Sequence, residues 1–178
     1  GALGNKYFRH YDLRMAEAIT LSGQTTIRWA EGAVNAYLNR MLQNGDGQQK
    51  DFVIAMDTDS IYVNLDPVVQ RLNPKEPIDF LDRFCKEGIE PVLKKAYAEL
   101  GTIMGCKDNR MAMKRENIAD RAIWTAKKRY ILSVWDCEGV RYKEAKIEIV
   151  GIEAVKSTTP ENCRDSLKDA FKLVMRGT

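Results

Sequence analysis

Apolar residues recur every three or four positions through Ile19, Gly23, Ile27, Ala30, Val34, Leu38 and Met41. That spacing makes one stripe of an amphipathic helix, and Asp12 can cap it, so a long helix is expected from about residue 12 to residue 42. Asn44-Gly-Asp-Gly47 ends it. Two short β-prone runs follow at 52–56 and 61–65, and the polar Asp57-Thr-Asp-Ser60 between them predicts a hairpin. Residues 66–77 contain Pro67, Pro74 and Pro77 and read as a loop. Pro77 suits the first turn of a second helix, whose apolar face is Leu81, Phe84, Cys85, Gly88, Val92 and Ala96. Pro91 lies inside that pattern and should kink the helix or split it after Glu90. From residue 110 to 152 the period becomes two. Met111 and Met113 alternate with charge, 130–135 is a buried-strand run, Glu138-Gly139 marks a turn, and Ile147, Ile149 and Ile152 alternate with charge. This predicts an antiparallel meander. Thr159 and Pro160 then open a last helix, with Cys163, Leu167, Ala170, Phe171 and Val174 as its stripe.

At 178 residues and 20.3 kDa the chain suits one domain with a small appendage. No apolar run approaches the ~20 residues a transmembrane helix needs. The opening is not leader-like, so secretion is not expected and a cytoplasmic protein is. Cys85, Cys106, Cys137 and Cys163 form no CxxC pair, which argues against a thiolate zinc or redox site and leaves them as core fillers. A single histidine, His10, argues against His-based acid–base chemistry and fits a structural role. Trp29, Trp124 and Trp135 are expected in the core, with Trp124 the exception because it lies beside a basic motif. The net charge of +3 is unevenly spread. Residues 1–100 hold 12 basic and 14 acidic side chains, and residues 101–178 hold 16 and 11. Eight of the basic residues lie between Lys107 and Arg129. An acidic half and a basic strip suit a metal-assisted enzyme acting on a polyanion, as well as a solvated mixed-charge surface.

Asp57 and Asp59 put two carboxylates at one tight turn between apolar strands. Like charges so close are costly unless a cation neutralises them. Mg²⁺ fits, because it takes hard oxygen ligands and keeps waters and substrate phosphates in its shell. A two-metal site of this kind would activate a nucleophile and stabilise a leaving phosphate oxygen. Aspartate is also a common turn former. Lys127-Lys-Arg-Tyr130 sets three cations beside an aromatic at a strand end. Such a group neutralises phosphates and reaches a minor groove without reading sequence; a solvated basic strand end has the same composition.

Met56-Asp-Thr-Asp-Ser-Ile-Tyr62 resembles the carboxylate motif of family B DNA polymerases, as carried by T-even-like tailed phages. Three further segments match in order. Gly1-Ala-Leu-Gly-Asn5 resembles the end of the nucleotide-binding helix, Lys127-Lys-Arg-Tyr130 the primer-contacting motif, and Gly151-Ile-Glu-Ala-Val-Lys-Ser-Thr-Thr-Pro160 the passage from palm into thumb. The resemblance implies an α+β fold, an antiparallel palm sheet packed on one side by two long helices, with a C-terminal helix beginning the thumb. It divides the chain into a partial palm, 1–155, and the start of a thumb, 156–178. It implies Asp59 as the direct ligand of both catalytic metals, Asp57 as a nearby carboxylate, and Glu116 as an additional acidic residue near them. Thr58, Asp59 and Gly1 would lie on the nucleotide side. Lys127, Lys128, Arg129 and Tyr130 would hold the primer strand, and Lys156 would meet its backbone further back.

The resemblance also marks what is absent. The second catalytic aspartate, in an Asp-x-x-Ser-Leu-Tyr-Pro context, has no counterpart here, nor do the fingers and the exonuclease. The expected function is therefore a fragment of a DNA-directed DNA polymerase, inactive alone. Its partners would be primer–template DNA, dNTPs, Mg²⁺ and the missing polymerase half; no membrane is expected. A sheet edge left open beside the hairpin invites association, including a homodimer. The alternative is a non-catalytic DNA-binding module or assembly partner derived from a palm.

Overall fold

The computed structural model describes residues 2–42 and 49–176. The expectations placed on Gly1 and on Asn44-Gly-Asp-Gly47 lie outside the described residues. The element order is α1 (Leu13–Leu42), β1 (Val53–Asp57), β2 (Ser60–Val63), α2 (Asp66–Leu72), α3 (Pro77–Phe84), α4 (Glu90–Ile103), β3 (Asn117–Ala126), β4 (Arg129–Cys137), β5 (Val140–Val150) and α5 (Glu161–Arg176). The fold is α+β, and its antiparallel strands form two separate sheets, β1-β2 and β3-β4-β5. The chain divides into two compact units. One joins the residues up to Asn73 with Glu87–Met113; the other joins Pro74–Lys86 with the residues from Lys114 onward. No helix among the described residues is long and apolar enough to cross a membrane.

In the first unit α1 packs on α4 and on the hairpin. Asp12 caps α1, accepting from the Met15 N–H at 3.1 Å. Thr20, Thr25 and Thr26 return their hydroxyls to carbonyls one turn back, which lets polar β-branched residues sit inside a helix. The core is Ile27, Ala30, Val34, Leu38 and Leu42 of α1 with Leu93, Ala96, Tyr97 and Leu100 of α4. The expected stripe is thus correct only from Ile27 onward, since Ile19 is 59% exposed. Asn35 and Asn39 tie the approach to β1 onto α1. Asn35 Oδ1 accepts from the Phe52 N–H, and Asn39 Oδ1 from the Lys50 N–H, each at 2.8 Å.

Three expectations fail locally. The stretch read as a loop contains α2, because Pro67 sits in its first turn, where its missing N–H costs nothing. The alternation at Met111 and Met113 is not a strand. Their sulfurs lie 3.7 Å from Thr26 Oγ1 and 4.0 Å from the Tyr97 hydroxyl, so the methionines pack onto α1 and α4 instead of pairing. The split expected after Glu90 is absent; the irregularity comes earlier, as a π turn at Cys85–Ile89 between α3 and α4, and Pro91 falls in the first turn of α4. The wider turn makes room for a ring that an α-helix interior would exclude.

In the second unit β4 is the central strand, buried at Ile131, Leu132, Ser133, Val134 and Asp136. Glu138 and Gly139 both have positive φ, the pairing a two-residue hairpin turn needs. Ile131 and Ile152 form a cluster with Met175 of α5, flanked by Ile147, Ile149 and Phe171. The buried stripe of α5 therefore runs through Phe171 and Met175. Cys163 and Val174 are exposed, so the expected stripe is about one residue out of phase. Pro160 is the cap, its carbonyl accepting from the Arg164 N–H at 3.0 Å. Cys106 is also exposed and Trp29 is 38% exposed, against the expectation of core packing.

Leu38→Ala should lower unfolding free energy by about 2–5 kcal/mol in urea titration, because it opens a cavity at a fully buried position. Ile19→Ala should stay within about 0.5 kcal/mol.

Candidate functional site

The carboxylate turn belongs to the first unit. Asp57 ends β1, pairs with Ser60 and is half-buried; Thr58 and Asp59 form the two-residue connection and are exposed. Three contacts close the turn. The Asp59 N–H donates to the Asp57 carbonyl at 2.6 Å, Ser60 Oγ donates to the same carbonyl at 3.1 Å, and Thr58 Oγ1 donates to the Asp57 carboxylate at 3.1 Å. Thr58 has φ 49°, an unusual conformation for a β-branched residue, costing on the order of 1–3 kcal/mol. The three hydrogen bonds hold this strained turn, and Asp59 stands exposed in it. Among the described residues no third strand pairs with this hairpin, and no group of three or more His, Cys, Asp or Glu converges as a metal cage. The donors that are present, hard carboxylate oxygens at one turn, suit part of a Mg²⁺ shell whose remaining positions go to water and phosphate.

Glu116 belongs to the second unit. Its side chain is exposed while its backbone is held: its carbonyl accepts from the Glu138 N–H at 2.7 Å and from Arg115 Nη1 at 3.2 Å. Arg115, only 7% exposed, pairs with Asp136 through Nη1 and with Asp82 of α3 through Nη2. Asp136 is 1% exposed; it also accepts from the Gly139 N–H at 3.0 Å and from Arg141 Nε at 3.1 Å. Arg141 in turn pairs with Asp79. Burial pushes the Asp136 carboxyl up, but hydrogen bonds from Arg115, Arg141 and Gly139 outweigh it and hold the group below the usual carboxylate range. Asp82 is also held low, first by Lys86 at 2.8 Å and then by Arg115 against the opposing effect of burial.

The basic motif is likewise in the second unit. Lys127 and Lys128 form the exposed turn between β3 and β4; Arg129 and Tyr130 begin β4. Lys128 has φ 61°. Gly151 lies against this turn with φ +66°, and a Cβ there would overlap the Lys128 carbonyl oxygen. Tyr130 pairs across strands with Trp124, their ring centroids 6.4 Å apart, so Trp124 is part of the motif's support. Glu153 Oε1 pairs with Arg129 and, at 3.0 Å, with Lys156. Lys156 and the Glu153 N–H, with Arg129, pull the Glu153 carboxyl down to about 2.

Sequence reasoning singled out Lys127, Lys128, Arg129, Tyr130 and Lys156, and the structure places all five in one unit. It missed the ionic chain around Asp136 and gave no role to Gly151 or Glu153. The available signals were an aspartate continuing the apolar run of β4, an arginine just before Glu116, and the three-residue spacing of Glu153 and Lys156.

Asp136→Ala should destabilise the protein by about 3–5 kcal/mol, because it leaves Arg115 buried without its main partner. Since the folded pKa of Asp136 lies below its unfolded value near 4, its stabilisation is complete above that value and is lost as pH falls below it. Urea titrations should therefore show a steeper loss of stability between about pH 5 and 2 for the parent than for Asp136→Asn. Gly105→Ala, at φ +67° in open space, should cost about 1–2 kcal/mol. Gly151→Ala should cost more in the same assay, because the Lys128 turn must also move.

No family model matches the sequence. The DNA-directed DNA polymerase of Escherichia phage RB69 is 40% identical over 190 aligned positions, covering 99% of this chain and 21% of that protein. The DNA-directed DNA polymerase of Enterobacteria phage T4 is 36% identical over the same length and coverage. The chain spans about a fifth of the length of these curated relatives. Nearly end to end, it resembles one stretch of the DNA-directed DNA polymerases of tailed phages.

Proposed function

We propose that the chain is the second part of the palm, with the thumb starting at Lys156, of a family B DNA-directed DNA polymerase. The carrying observation is the match of 99% of the chain to the two phage polymerases. The exposed carboxylate turn and the basic turn support the same reading. In this reading Asp59 is the principal metal ligand and Asp57 braces the turn from its half-buried position. Thr58 fixes the direction in which Asp59 presents its oxygens, with Thr58, Asp59 and Gly1 on the dNTP side. Asp59 and Asp57 would hold Mg²⁺, which would supply charge neutralisation for in-line nucleotidyl transfer from dNTP to a primer 3′ end. Lys127, Lys128, Arg129 and Lys156 hold primer phosphates, while Tyr130, braced by Trp124, presents a hydroxyl to the groove.

Two carboxylates from one turn supply too few ligands for a pair of octahedral ions, so the chain alone does not synthesise DNA. Its partner is the rest of the polymerase, which contributes an aspartate from another strand. Among the described residues no further strand pairs with the β1-β2 hairpin, and its edges are where that strand, or a second copy of this chain, would pair. The setting is the cytoplasm of an infected host cell.

The test is primer extension with Mg²⁺ and four dNTPs, by the chain alone and after mixing with the remainder of a phage polymerase. Synthesis is expected only in the mixture, and Asp59→Asn should reduce it by about 10³-fold or more. A mixture that binds DNA but makes none would favour the non-catalytic module and sink this reading.

A further inference from the structure

Arg129 and Lys156 come from different segments, the start of β4 and the residue after a short 3₁₀ turn at Glu153–Val155, and one carboxylate oxygen of Glu153 takes both. All three side chains remain between about 39% and 50% exposed, so the trio is open to solvent and to a ligand. An oxyanion shared by a guanidinium and an ammonium is the arrangement a nucleic-acid phosphate takes. Arg129 turns its Nη2 toward this oxygen, while its Nε is buried away from solvent.

We propose that Glu153 is an internal stand-in for a backbone phosphate: its carboxylate occupies, in the free protein, the anion position between Arg129 and Lys156 that a primer-strand phosphate takes on binding. This rests on reading the basic motif as a DNA-contacting surface. The carboxylate keeps the two cations together when no DNA is present, where they would otherwise repel. It also competes with phosphate, so part of the attraction is spent on displacing it. The result is a grip that is ordered beforehand yet weaker than its cations alone would make it, as an enzyme needs if the strand is to advance after each addition. The low pKa of Glu153 keeps this competitor charged at any pH at which DNA is bound.

The experiment is fluorescence anisotropy of a labelled primer–template duplex titrated with the chain over a series of KCl concentrations. The parent is compared with Glu153→Gln, Glu153→Ala and the double variant Lys127→Ala/Lys128→Ala. Removing an exposed competitor held by two ion pairs should tighten binding roughly three- to tenfold at low salt. The log–log salt slope should steepen by about 0.9, one more phosphate neutralised. Both Glu153 variants should behave alike, whereas a merely structural role would weaken binding. Unchanged or weaker binding in both, with the lysine variant impaired, overturns the proposal and leaves the DNA-contact reading standing. A lysine variant that binds like the parent overturns both.

Discussion

Asp136 sits on the central strand of a three-stranded meander with its carboxylate out of water. A charge in that position is tolerable only with counter-charge and hydrogen bonds on every side, and the second unit is arranged to supply them. Arg115 reaches it from just before β3, Arg141 from β5, and the Gly139 N–H from the hairpin turn. Because Arg115 also grips Asp82 and Arg141 also grips Asp79, the same carboxylate fastens α3 to the sheet. An apolar cluster of similar volume would be as stable but indifferent to direction. The ionic chain instead fixes one position for the backbone on either side of Arg115, including the carbonyl of Glu116.

Strained backbone in this chain coincides with its charged turns. Thr58, Lys128 and Glu138 all occupy the left-handed region without being glycine or asparagine, and each lies within a two-residue hairpin connection. At Glu138 the other turn residue is Gly139, and that turn carries no candidate chemistry. At Thr58 the turn is held by its own hydrogen bonds; at Lys128 it is held by a second segment pressing close through Gly151. Both devices set side-chain direction where solvent exposure would otherwise leave it loose.

Periodicity made the long helix, the hairpin, the meander and the last helix legible, because each has one buried face. It failed where one face was not the whole account. Ile19 repeats the helix period without being covered, and Met111 and Met113 alternate like a strand while packing as plugs against helices. The α5 stripe slipped by a residue because Met175, not Val174, closes the cluster on Ile131. Of the site, the motifs with several residues in fixed order were readable: the Asp57-Thr-Asp59 turn and the Lys127–Tyr130 run. Asp136 and Glu153 were not, since one arginine partner of each, Arg115 and Arg129, lies 21 and 24 residues away in sequence, and a carboxylate carries no mark of what it will pair with.

Neither unit is a continuous length of chain, and that bears on how the protein is made. The first can close only when Met113 has left the ribosome, long after its longest helix, α1. The segment carrying Asp79 and Asp82 is synthesised in the middle and belongs to the second unit, whose remaining members all come later. At elongation rates of about 5–20 residues per second, Asp82 waits roughly 3–11 s for Asp136. Through that interval α3 must survive on local preferences alone. Its start at Pro77 and its Asp82–Lys86 pair, both formed within the segment itself, are what it has to last on.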